Sequence, residues 1–263
     1  MAEVTGIAWT DSTFNPWIGC TKVGPGCDHC YAEALDKRHR WGGATHWGAG
    51  VPRQRTSVSN WRKPLAWNKK AEASGKPWRV FCASLADVFD NEVPEEWHAD
   101  LWRLIRATPA LTWLLLTKRI GNVAKMHPGG DYPNVGIGAT IVNQEEADRD
   151  VPKLLATPAA VRFVSYEPAL GPVDWTRFPG IDWIIVGGES TQGAKARTFE
   201  IKWAKDTVQQ CADMEVATFV KQLGSTHGLR DRAGADPSEW DDELRVQEFP
   251  NVSGMNSNGD KSD

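Results

Sequence analysis

The sequence predicts a parallel α/β fold of the barrel kind, and three observations predict it. Short apolar runs recur along the middle of the chain and are apolar on both faces, as strands buried in a parallel sheet must be. Helical stripes fall between those runs. Nearly every run ends in polar or glycine residues, and in βα barrels the strand ends of that side carry the site. A length of 263 residues suits one such barrel.

The elements follow in order. After Cys30, the stretch Tyr31-Ala32-Glu33-Ala34-Leu35 is a good helix start. Apolar runs then occur at 79–83 (RVFCA), 112–116 (TWLLL), 134–140 (NVGIGAT), 161–166 (VRFVSY), 182–188 (DWIIVGG) and 216–220 (VATFV). Pro94 opens a helix with Trp97, Leu101, Leu104 and Ile105 on one stripe. Asn143 caps the next, with Glu145 and Glu146 in its first turn. Another runs from about Phe199, with Ile201, Trp203, Ala204, Val208 and Cys211 facing inward. The strand ends carry Ser84 and Asp87, then Thr117, Lys118 and Arg119, then Thr140 and Asn143, Glu167, Gly188 to Ser190, and Lys221 with Gln222. Their convergence predicts one polar mouth.

Between Lys37 and Lys70 the chain has nine Lys or Arg and no Asp or Glu, with Trp41, Trp47, Trp61 and Trp67 interleaved and many glycines. It reads as a loop or lid inserted in the barrel. Cations among aromatics suit a phosphate backbone with stacked bases, which makes Arg53, Arg55, Arg62 and Lys63 nucleic-acid candidates. The bland reading is a solvated loop whose tryptophans pack on the barrel. The domain is expected to span 1–225, and the acidic segment 226–263 to be a largely disordered tail.

Net charge is −4, so no global basic character announces nucleic acid. No apolar run is long enough for a membrane span, so no membrane partner is expected. The N-terminal stretch lacks a basic run followed by an apolar one, and so does not read as a secretory signal. The five cysteines do not form a disulfide-type pattern, which points to a reducing, cytoplasmic setting.

Three of those cysteines carry the strongest signal. Cys20, Cys27 and Cys30 are spaced C-x6-C-x2-C, and the spacer holds Gly24, Pro25 and Gly26, which let it fold back. Thiolates are soft ligands suited to iron–sulfur clusters and zinc. Electron-transfer clusters and structural zinc sites usually close with four ligands. Three cysteines instead leave one iron of a [4Fe–4S] cluster open to the amino and carboxylate groups of a methionine. The competing reading is a Cys₃His zinc site completed by His29, His39 or His46. Cys82 and Cys211 read as buried free cysteines.

The stretch from Trp9-Thr10-Asp11 through Asn15-Pro16-Trp17-Ile18-Gly19-Cys20 to Cys27 and Cys30-Tyr31-Ala32-Glu33 resembles a phage- and prophage-associated family of unassigned function, marked by this three-cysteine motif. Further matches are FCASLADVF at 81–89, Leu116-Thr117-Lys118-Arg119, Gly187 to Ser190 with Gly193, Ala196 and Arg197, and Phe219 to Gly224. That family is similar to radical S-adenosylmethionine enzymes and distantly to the spore photoproduct lyase group. The resemblance implies a partial (β/α)₆-type barrel, a [4Fe–4S] cluster, S-adenosylmethionine, an electron donor and, in some genomes, a separate partner protein named for the motif. Two departures stand out. The usual spacing is C-x3-C-x2-C with an aromatic before the third cysteine, where this chain has His29. The Gly-Gly-Glu triplet 187–189 follows a late strand rather than the second.

The resulting expectation is a radical enzyme that modifies or repairs nucleic acid or a nucleotide. Reductive cleavage of S-adenosylmethionine would yield a 5′-deoxyadenosyl radical that takes a substrate hydrogen. The alternative is a zinc-bound nucleic-acid-binding module without redox chemistry. Tyr31 would stack near the adenine. Ser84, Asp87, Thr140, Asn143, Glu167 and Glu189 are candidates for the amino group, ribose and carboxylate. Lys118, Arg119 and Lys221 could neutralise a carboxylate or phosphate.

Overall fold

The computed structural model describes residues 5–190 and 196–251. The chain enters through β1 (Ser12–Thr13) and β2 (Trp17–Ile18), then runs through α1 (Tyr31–His39), β3 (Gln54–Arg55), α2 (Val58–Trp61) and α3 (Lys63–Ser74). It continues as β4 (Trp78–Cys82), α4 (Glu95–Arg106), β5 (Leu111–Thr117), α5 (Ile120–Met126), β6 (Val135–Thr140) and α6 (Gln144–Leu155). It ends with β7 (Val161–Tyr166), β8 (Trp183–Gly187), α7 (Ile201–Asp213) and β9 (Ala217–Gln222).

Seven strands form one sheet in the order β1-β4-β5-β6-β7-β8-β9, all parallel, and the sheet curls into a half-barrel. The six apolar runs of the sequence are β4 to β9. Their period-two alternation divides two apolar layers. On β5, Trp113 and Leu115 face the helices while Leu114 faces the hollow. Helix stripes such as Leu101, Trp102, Leu104 and Ile105 of α4 cover the outer face. The hollow is filled by Phe81, Leu114, Phe163, Trp183 and Phe219, with Trp9 laid across them. Leu114, Phe163, Trp183 and Phe219 come from the early or middle part of their strands, so most of the apolar plug lies below the C-terminal strand ends. Among the described residues no helix is long and apolar enough to cross a membrane.

Some expectations need correction. The basic segment is not a loop throughout. Ser57 caps α2 by accepting from Asn60 N, and Pro64 sits in the first turn of α3, where a missing N–H costs nothing. Pro64, Trp67, Asn68 and Ala71 form a buried stripe at helical spacing, with Trp67 only 2% exposed. The crossover from β7 to β8 has a single 3-10 turn, Trp175–Arg177, in place of an α-helix. That turn is held by Trp175, whose indole N–H donates to Thr207 on α7 at 3.1 Å.

The acidic tail is ordered as far as residue 251. Trp240 and Leu244 are buried. Val220 N donates to Val246 O, and Glu248 N to Thr218 O, both at 2.8 Å, so 246–248 run antiparallel along the free edge of β9. Residues 252–263, where disorder is expected, and Gly193 lie outside the described residues.

Candidate metal centre

The three cysteines belong to one loop between β2 and α1, at the C-terminal side of the sheet. Cys20 follows Gly19, Cys27 ends the 3-10 turn Pro25–Cys27, and Cys30 is the N-cap of α1. All five cysteines of the chain are unpaired, and Cys82 and Cys211 lie in the core as their runs require. Burial pushes the Cys82 thiol well up and Cys211 to about 11, which suits inert packing residues.

Backbone pairing fixes Cys20. Gly19 N donates to Leu85 O at 3.0 Å, and Gly48 N donates to Cys20 O at 2.9 Å. Gly19 has φ +112, and a Cβ there would stand 2.4 Å from the His46 carbonyl oxygen. Only glycine tolerates both the dihedral and the close approach. Gly19→Ala is expected to lower stability by roughly 1–3 kcal/mol and to shift Cys20. Chemical denaturation beside metal analysis checks this, and an unchanged midpoint would refute it. Gly26 is constrained by packing alone, since a Cβ would lie 3.0 Å from Val142 Cγ1 and 3.4 Å from Lys118 Cε.

Around the Cys20 sulfur stands a network of buried charge. Arg119 Nη1 donates to Cys20 Sγ at 3.2 Å and to Asp87 Oδ2 at 3.2 Å, while Nη2 donates to Thr21 O at 2.6 Å. Asp87 Oδ1 accepts from Thr117 Oγ1 at 2.7 Å and Phe89 N at 2.9 Å, and Oδ2 also accepts from Lys118 N at 2.9 Å. Four donors thus occupy the Asp87 carboxylate, which builds the site and leaves no room for the expected role toward an amino group. Burial, then the charge of Asp87, pushes the Cys20 thiol up to about 12 against the pull of Arg119. Metal binding there has to displace a proton.

Asn15, a residue of the resembling stretch to which the sequence assigns no role, organises the end of β4. Its Oδ1 accepts from Ser84 N and Leu85 N at 2.8 Å each, and its Nδ2 donates to Ser84 Oγ at 3.0 Å. Tyr31 OH donates to Ser84 O at 2.9 Å. Ser84 is therefore engaged within the protein. So is Asn143, whose Oδ1 accepts from Glu146 N at 3.0 Å as the cap of α6.

The other side of the loop is held by Glu189 and Arg197. Glu189 accepts from Arg197 Nη2 at 2.6 Å, Arg197 N at 2.8 Å and His29 Nδ1 at 2.8 Å. Arg197 Nη1 reaches Pro25 O at 2.8 Å and Asp28 Oδ2 at 3.3 Å. Burial acts to raise the Glu189 carboxyl. The hydrogen bonds from Arg197 and His29 outweigh it and hold the group below the usual carboxylate range. Glu189 is thus a clamp on the cysteine loop. Nearby, Lys118 Nζ donates to Thr140 Oγ1 at 3.3 Å, and both line a narrow cleft with Cys27 and Glu146. Lys221 Nζ lies 2.5 Å from Glu167 Oε1 across the strand ends.

The nucleic-acid candidates divide. The Arg53 side chain has no exposure. Its Nε donates to Asp90 Oδ2 at 2.8 Å, Nη1 to the carbonyls of His46, Gly48 and Val51, and Nη2 to Thr21 Oγ1 at 2.7 Å and Glu92 Oε2 at 3.1 Å. Arg55 pairs with Asp100 at 2.5 Å and stacks over Trp61 at 4.3 Å. Arg53 is therefore unavailable to a phosphate, whereas the Arg55 side chain stays 33% exposed beside its partner. Arg62 is exposed at the α2–α3 junction, and Lys63 is half-buried at the start of α3.

Among the described residues, no three His, Cys, Asp or Glu side chains stand close enough together to hold a metal ion. The chemistry of the donor set still fits a thiolate-ligated centre. Three unpaired thiols share one loop, Cys30 makes no capping bond with its sulfur, and Cys20 has a cationic N–H aimed at it. Of the histidines considered for zinc, His29 is bonded to Glu189, His46 Nδ1 to buried Asp36 at 2.8 Å, and His39 stacks on Trp41.

No curated protein matches the chain. Among solved structures, a spore photoproduct lyase double mutant with bound AdoMet and dinucleoside spore photoproduct is similar at 10% identity and a TM-score of 0.41. The match covers 79% of this chain and 55% of that one, so the chain spans about half the length of that protein. The model of a family described as protein of unknown function, DUF5131, matches residues 4–251. By that match over nearly its whole length, the chain belongs to the DUF5131 family.

Proposed function

We propose that this protein is a radical S-adenosylmethionine enzyme whose [4Fe–4S] cluster is held by Cys20, Cys27 and Cys30, acting on nucleic acid or a nucleotide. The observation that carries the reading is the loop itself: three unpaired thiols at the C-terminal end of a parallel half-barrel, beside converging polar strand ends. When bound, the cluster supplies one electron to cleave S-adenosylmethionine and so starts hydrogen abstraction from the substrate. The chain's part is to hold and orient. Tyr31, Thr140, Glu167 and Lys221 are the residues proposed to meet the cofactor: each makes one side-chain hydrogen bond within the protein and keeps further polar capacity, whereas Asp87 holds four donors and Ser84 and Asn143 brace the loops. Arg197 and Glu189 keep the cysteine loop seated. An external one-electron donor is required, and the sequence resemblance adds a phage setting and a three-cysteine-motif partner protein to the proposal. Anaerobic reconstitution followed by metal analysis tests the reading. About four irons per chain support it, and one tightly held zinc without iron overturns it in favour of a zinc module.

The nucleic-acid part rests on cations of the segment that remain exposed, among them Arg38, Arg40, Arg62 and Lys69. Charge reversal at Arg62 and Lys69 is expected to weaken single-strand binding and to flatten its log–log salt slope by about 0.7 for each phosphate no longer neutralised. A slope equal to the wild type's removes this face from the substrate site.

A further inference from the structure

We infer that Arg119 is a positioning residue that sets the electron affinity of the cluster through Cys20; this rests on the cluster reading above. Its side chain is only 8% exposed. Asp87 and the Thr21 carbonyl fix its guanidinium from two sides, and Asp90 lies 4.0 Å away. The N–H aimed at Cys20 Sγ at 3.2 Å is therefore held rather than swinging in solvent. Among the described residues, no comparable donor reaches the sulfur of Cys27 or Cys30. A hydrogen bond and a fixed positive charge on a ligating thiolate draw electron density from it and favour the reduced, more negative cluster. Arg119 thus makes the cluster easier to reduce, and it does so at one corner only.

The experiment compares wild type, Arg119→Met and Arg119→Lys after anaerobic reconstitution, with iron content, a thermal melt and an EPR-monitored redox titration for each. In Arg119→Met the ratio of reduced to oxidised cluster at a fixed potential is expected to fall about tenfold, about 59 mV for a one-electron couple. Arg119→Lys keeps the charge but loses the fork, and is expected to fall between. A Met variant with full iron and wild-type potential overturns the inference. If the Met variant holds no iron, the Lys variant decides. A shifted potential supports the inference, and a wild-type potential reduces Arg119 to a fold residue and overturns it. A wild-type chain that takes zinc and no iron overturns the cluster reading itself, and that result precedes any variant.

Discussion

Cys27→Ala is expected to reduce iron in the reconstituted protein from about four per chain to a trace, and to abolish 5′-deoxyadenosine formation from S-adenosylmethionine with dithionite. The substitution removes one sulfur and little else. Cys27 is buried at the end of its 3-10 turn, and its N–H donates to Gly24 O at 2.9 Å, a bond that alanine keeps. The loop remains clamped through Arg197 on Pro25 and Asp28. The fold should therefore survive, and a melting curve near that of wild type would show that the loss is one of ligation. Cys82→Ala and Cys211→Ala are the matched controls. Both sulfurs are buried away from the loop in the outer core, so both variants should keep their iron. A Cys27→Ala protein that stays brown and turns over would mean that the cluster has other ligands.

Arg53→Met should lower stability by about 3–5 kcal/mol, because it strands the buried Asp90 carboxylate rather than removing a surface charge. Asp90 is 1% exposed and would lose its 2.8 Å partner, and three loop carbonyls and Thr21 would lose a donor. For a chain of this size the melting temperature should fall by roughly 10 °C. Arg53→Lys should rescue little, since one ammonium cannot fill the acceptors that a guanidinium spans. Arg62, exposed and nearby in sequence, should tolerate methionine with almost no change in melting. If Arg53→Met melts within a degree or two of wild type, the network around Thr21 is not what holds the cysteine loop to the sheet.

The strands were legible because a parallel strand buried on both faces leaves an uninterrupted apolar run, and β4 to β9 are such runs. The two-residue strands β1, β2 and β3 were not, because two residues carry no period. Helix α3 was hidden for a different reason. Its buried stripe of Pro64, Trp67, Asn68 and Ala71 has helical spacing, but lysines on its other face dominate the composition. The missing acids of the basic segment had a visible complement downstream, since Asp90 and Glu92 meet Arg53, and Asp100 meets Arg55. Charge balance within one window could not show pairs that the fold closes across some forty residues. At the site, the cysteines, Lys118, Thr140, Glu189 and Lys221 could be picked out as chemistry at strand ends. What each one touches could not. Arg197 stood in a recognised motif, yet its hold on Pro25 and Asp28 depends on a return from β8 that no local pattern encodes.

The sheet's spatial order from β4 to β9 is also its order along the chain. As the ribosome releases the chain, each new strand meets the open edge left by the one before. The last strand, β9, has no successor in the sheet, and its bare N–H and C=O groups are closed off only when 246–248 emerge. Until then the nascent protein carries an unpaired parallel edge, the kind of surface that recruits other chains. The segment that composition alone would discard as tail is the one whose arrival ends that exposure, so a truncation placed before it would yield an aggregating product even with every strand and every cysteine intact.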